Sequence, residues 1–197
     1  MNIANLPPLV RNGLHISIII ASVGLCLFLL PSRLPGMEIL GVGPSWLVMW
    51  IITWSLNRSM WHAATAGIVL GLIQDGMTFP PTSTIGTIPT HVLSLTVVGV
   101  LAVWLHKQRY LDDTILSVSI AAFFLTIVSE FITGLQYFLE TAIKQSPAAS
   151  MDTLNYFWTN QSSVVLIAAI LSGLWMPILY YPLNFWWKKI FAASKFG

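Results

Sequence analysis

Charge is what this chain of 197 residues has least of: Asp, Glu, Lys and Arg together make up 8% of it, where a soluble globular domain carries roughly a quarter. Nine Lys and Arg against seven Asp and Glu leave a net charge of +2. Sixteen formal charges cannot clothe a compact domain of this size in water, which excludes an ordinary soluble protein. Nucleic-acid binding is excluded as well, because neutralising phosphates takes a basic face and the nine cations are dispersed. There is one cysteine, Cys26, so no internal disulfide can form. Enzyme motifs are also missing: there is no Gly-x-Ser-x-Gly elbow, no His-Glu-x-x-His zinc site and no Gly-rich Walker loop. His15, His62, His91 and His106 fall in different segments without ligand spacing, so neither a metal nor another cofactor is expected.

What remains is apolar. Hydrophobic residues make up 56% of the chain and the mean hydropathy is +0.78, with nine Trp, ten Phe and eleven Pro. A helix needs about 20 mostly apolar residues to cross a hydrocarbon core. Six stretches meet or approach that length, at 14–30, 42–56, 60–73, 89–105, 115–138 and 164–179. The sequence therefore predicts an all-α polytopic membrane protein, one six-helix bundle over residues 1–197 without a soluble domain. The first stretch follows Arg11 but lacks a small-x-small cleavage site near Pro31, and is expected to be retained.

With six spans, Arg11, Arg58, Lys107, Arg109, Lys188, Lys189 and Lys195 fall on one side and Arg33 and Lys144 on the other. The positive-inside rule then places both termini in the cytoplasm. Trp186 and Trp187, next to Lys188 and Lys189, are expected to anchor the last span at the inner interface, where Pro182 ends its apolar run.

Ionisable groups within spans are costly and so are candidates for function. Glu130 interrupts the fifth span, and helical spacing sets it on one face with Ser119, Thr126, Thr133 and Tyr137, a stripe that should turn from lipid. Glu130 either contacts a ligand or partner or serves as hydrogen-bonded structural glue. In the third span Ala63, Gly67 and Gly71 recur every four residues and Asp75 continues the line. This small-residue ridge lets another backbone approach closely, either within the bundle or from a partner. Arg58 and Asp75 lie seventeen residues apart, roughly 25 Å along a helix, and are expected to anchor opposite membrane faces. Asp75 and Glu130 lie at different depths, which argues against an aspartyl catalytic pair. Trp46, Trp50 and Trp54 form a stripe on the second span that must pass through the bilayer, facing lipid, the bundle interior or a partner helix. Tyr156, Phe157 and Trp158, in the long connection before the last span, are read as an interfacial turn or a short amphipathic segment.

The frame from Leu56 to Leu93 resembles the MreD family of bacterial rod-shape-determining membrane proteins. Arg58 is followed by small residues, then by Gly67 to Asp75, a short loop and Ile85-Gly86, with Ile85 in place of the commoner Leu. The resemblance implies a non-catalytic scaffold in the cytoplasmic membrane of a walled bacterium. Its expected partners are the lipid bilayer, MreC, the filament protein MreB, and the elongation synthases RodA and a class B penicillin-binding protein. Family residues map onto Arg58, Gly71, Asp75 and Gly86. The family fold is similar to the substrate-binding S-components of ECF-type vitamin transporters, which supplies an alternative function. Glu130 and the loop from Thr78 to Thr87 would then line a vitamin site. The Ala-x-x-x-Ala docking pair of those subunits is absent from span 1, where Leu25 follows Ala21 by four and the nearest small pair is Ser22 with Cys26.

Overall fold

The computed structural model describes residues 8–32, 36–56, 58–78, 90–144 and 161–194. Among them are six helices and no strands: α1 (Pro8–Leu29), α2 (Trp46–Ser55), α3 (Met60–Thr78), α4 (Thr90–Lys107), α5 (Ile115–Lys144) and α6 (Ser162–Ser194). Three segments are long and apolar enough to cross a membrane, Thr90–Lys107, Ile115–Leu139 and Ser162–Lys188. The chain is an all-helical membrane bundle.

Its centre is the shortest helix. Ten residues of α2 rise only about 15 Å, half of a hydrocarbon core, where a span over 42–56 was expected. The shortening originates just upstream. Ile39 and Val42 exchange backbone hydrogen bonds of 3.0 Å in both directions, and the two residues between them, Leu40 and Gly41, both have positive φ, 54° and 78°. That is the geometry of a two-residue type I′ turn, which commits residues 39–42 to a hairpin and delays the helix to Trp46. The backbone N–H of Ser45 then donates to the hydroxyl of Ser172 on α6 at 2.9 Å, and that hydroxyl donates to the Ala168 carbonyl at 2.7 Å.

Nine of the ten α2 side chains are buried, as befits a helix that is apolar on every face. It touches α1, α3, α4, α5 and α6, around which α3 pairs with α4 and α5 with α6. The Trp stripe faces inward. Trp46 meets Trp175 edge-on at 5.9 Å, Trp50 stacks on Trp54 at 5.5 Å, and Trp54 meets Trp187 edge-on at 5.4 Å. Trp50 also donates through Nε1 to the Ser22 hydroxyl at 2.9 Å, tying α1 to α2. Trp187 is therefore a core residue, 2% exposed, and not the interfacial anchor expected from its basic neighbours.

The last helix does not stop at Pro182. It continues to Ser194 with Pro177 and Pro182 inside it. Each proline removes one intrahelical donor and crowds the carbonyl four residues before, that of Gly173 or Ile178. Neighbouring helices make this tolerable in membranes. Below the prolines, α6 is fastened to the start of α5 by Tyr180, whose hydroxyl donates to the Asp113 carbonyl at 3.1 Å, and by Lys188, 3.6 Å from the Asp113 carboxylate.

Candidate functional site

The line Ala63, Gly67, Gly71 and Asp75 lies along the face of α3 that meets α4, and the two helices run antiparallel. A Cβ on Gly67 would stand 2.6 Å from Cα of Thr96, and one on Gly71 would stand 2.4 Å from Cα of Val92. Both neighbours are backbone, so neither can swing aside. From the other helix, a Cβ on Gly99 would come within 3.0 Å of the Ala63 carbonyl oxygen. Glycine at these positions allows a backbone-to-backbone contact that any side chain would wedge apart.

Asp75 closes the ridge. It is 3% exposed, held within the bundle near the end of α3. Its Oδ1 lies 2.6 Å from Nδ1 of His91, and both carboxylate oxygens lie 3.2 Å from the backbone N–H of His91. That N–H belongs to the first turn of α4, where helix donors lack partners within the helix and the positive end of the macrodipole is exposed. Asp75 thus caps α4 from a neighbouring helix, and the capping offsets much of the cost of burying a carboxylate. Because a carboxylate only accepts, Nδ1 carries the proton, and Nε2 is the ring nitrogen left for other contacts. The four histidines are consequently not equivalent: His91 is paired with an acid that the sequence sets sixteen residues earlier.

His91 also lines a cavity of about 480 Å³ at this end of the bundle. Its walls come from the end of α1, the connection to α2, the first turn of α2, and Gln74, Leu95, Ser129 and Glu130. Glu130 is half-buried and faces this space, at the depth of Asp75 and His91 and not apart from them. Along the same face of α5, Thr126 is buried, while Tyr137 is more than half exposed, so the polar stripe turns from lipid only over its first part.

Arg58 stands at the opposite end of α3. Its guanidinium lies 4.3 Å from the centre of the Trp54 ring, and its Nη2 donates to Nε2 of His15 at 3.0 Å. Partial burial lowers its pKa from the ordinary guanidinium value, though a guanidinium stays charged in a protein. Arg58 therefore locks α1 to the end of the aromatic column. Gly86, the rest of the 79–89 connection, and Tyr156 to Trp158 lie outside the described residues.

Among the described residues no three His, Cys, Asp or Glu side chains are grouped as a metal would need. A family model described as rod shape-determining protein MreD matches residues 11–185. No curated protein and no solved structure matches the chain, so the likeness to ECF S-components expected from the sequence has no solved structure behind it.

Proposed function

The chain belongs to the MreD family of rod shape-determining membrane proteins, and on that premise we propose that it works as a non-catalytic scaffold of the cell-elongation complex. It sits in the bacterial cytoplasmic membrane as a single six-helix domain with both termini inside, and links an MreC-like membrane protein, an MreB-like filament protein and the synthases RodA and a class B penicillin-binding protein. The observation that carries this reading is the family match over 11–185. The geometry supports it: Asp75, His91 and Arg58 are engaged in joining helices, which suits a rigid platform. With the ridge and the Trp stripe occupied inside the bundle, partners are met by outward apolar rows such as Ile68, Val69 and Leu72 on α3.

Tracking of single labelled synthase molecules in the native host tests the linkage. On depletion of this protein, the synthases are expected to lose their directed movement around the cell. Unchanged movement after full depletion would overturn the scaffold role.

A further inference from the structure

We propose that the cavity at the joined ends of α3 and α4 is a binding site for a primary ammonium group carried by a small or amphipathic ligand. Its volume, about 480 Å³, falls within the roughly 300–1,000 Å³ of small-molecule sites. Its lining mixes apolar side chains, Leu29, Leu47 and Leu95, with polar ones, Glu38, Gln74, His91, Ser129 and Glu130, a mixture that fits a ligand with a polar head and an apolar body.

The sign of the head follows from the wall. Among the described residues the cavity is lined by Glu38 and Glu130 and by no Lys or Arg; His91, which acts electrostatically on Glu130, is already paired with Asp75, and no hydrogen bond joins Glu130 to another described residue. A carboxylate at membrane depth calls for a counter-charge or a donor, and an ammonium group supplies both. His91 is a fixed neighbour: Asp75 holds Nδ1 at 2.6 Å, so the ring cannot turn freely and Nε2 is oriented in advance. The amide oxygen of Gln74 and the hydroxyl of Ser129 offer further acceptors to the three N–H donors of a primary ammonium. A metal ion fits less well, since it needs three or more ligands close together and the described residues group no such set.

The ammonium can come from the ethanolamine headgroup of a phospholipid or from a free amine, and one experiment separates them. The full chain is placed in nanodiscs of phosphatidylglycerol with a minority of phosphatidylethanolamine, and retained lipid is read by native mass spectrometry. In parallel, thermal melting is followed in phosphatidylglycerol alone with added ethanolamine. Wild type is expected to retain phosphatidylethanolamine selectively, and phosphatidylcholine less, because trimethylation removes the donors. Glu130→Gln is expected to weaken retention roughly tenfold or more, the scale of a charge-assisted hydrogen bond, while melting like wild type in phosphatidylglycerol. Protection by free ethanolamine that depends on Glu130, without lipid selectivity, upholds the site and assigns it to a soluble amine. Equal behaviour of wild type and Glu130→Gln toward both probes overturns it. If Glu130→Gln does not accumulate, Glu130→Asp decides: the shorter carboxylate should bind severalfold more weakly, and unchanged binding refutes the assignment.

Discussion

Replacing Gly71 by Ala adds one methyl group, and the geometry fixes what it meets. The new Cβ would lie 2.4 Å from Cα of Val92, 2.7 Å from its N and 2.9 Å from the His91 carbonyl carbon. Carbon atoms pack best at about 3.5–4.0 Å, so the helices must part there by roughly 1 Å. Overpacking of this kind costs about 1–3 kcal/mol. The displacement also reaches one turn further to Asp75, whose 2.6 Å contact with His91 would stretch beyond hydrogen-bonding range if the same shift were transmitted. The sum is about 3 kcal/mol or more, which for a chain of this size corresponds to a fall of about 6–12 °C in melting temperature. Thermal melting in mild detergent measures it, and Gly76 provides the control. Gly76 is on the same helix with nothing within 4 Å of its added Cβ, so Gly76→Ala should be neutral or stabilise by up to about 1 kcal/mol through helix propensity. If Gly71→Ala and Gly76→Ala melt alike, the close approach of α3 and α4 is refuted. Gly71→Leu should be worse than Gly71→Ala and fail to accumulate.

Further outcomes follow from other contacts. Asp75→Ala leaves the first turn of α4 and His91 unpaired in a buried setting and should cost about 3–5 kcal/mol, with Asp75→Asn intermediate; melting near the wild-type value for both would show that the cap contributes nothing. Trp50→Phe removes the 2.9 Å bond to Ser22 and should lower stability by about 1 kcal/mol beyond the change in packing, an excess that a Ser22→Ala, Trp50→Phe double-mutant cycle isolates. Leu40 is 88% exposed and held at a positive φ, so Leu40→Gly should stabilise the turn by up to about 1 kcal/mol; a loss of stability would contradict the type I′ assignment.

Hydropathy made the helices readable because a run of apolar residues has few ways to exist outside a spanning or buried helix. It could not place the start of α2, since the delay depends on Leu40 adopting a left-handed conformation that its residue type does not announce. Nor could it carry the last helix past Pro177 and Pro182, because proline ends helices in water but is tolerated where neighbours re-satisfy the freed carbonyls. The four-residue spacing of Ala63, Gly67 and Gly71 marked a close contact but not the helix that fills it. Asp75, followed by Gly76, reads as a helix-ending carboxylate, and that position does not announce its burial against α4. The pairing with His91 nevertheless had a trace: in an antiparallel hairpin, extending the ridge by one turn sets residue 75 opposite the start of the following helix, where His91 is the first ionisable side chain. The cavity had no such trace, since its walls come from five helices and from a connection whose turn the sequence hid. Trp187 was misplaced because adjacent lysines favour an interface, whereas its ring is taken up by Trp54.

The scaffold role is tested most directly by what leaves the membrane with the protein. Tagged chain extracted from its own host in gentle detergent, with co-purifying proteins and small molecules identified by mass spectrometry, should bring an MreC-like protein together with RodA and a class B penicillin-binding protein. Recovery of a pair of ATPase subunits with a coupling membrane protein and a bound vitamin, and of none of the elongation proteins, would contradict the scaffold and assign the bundle to transport.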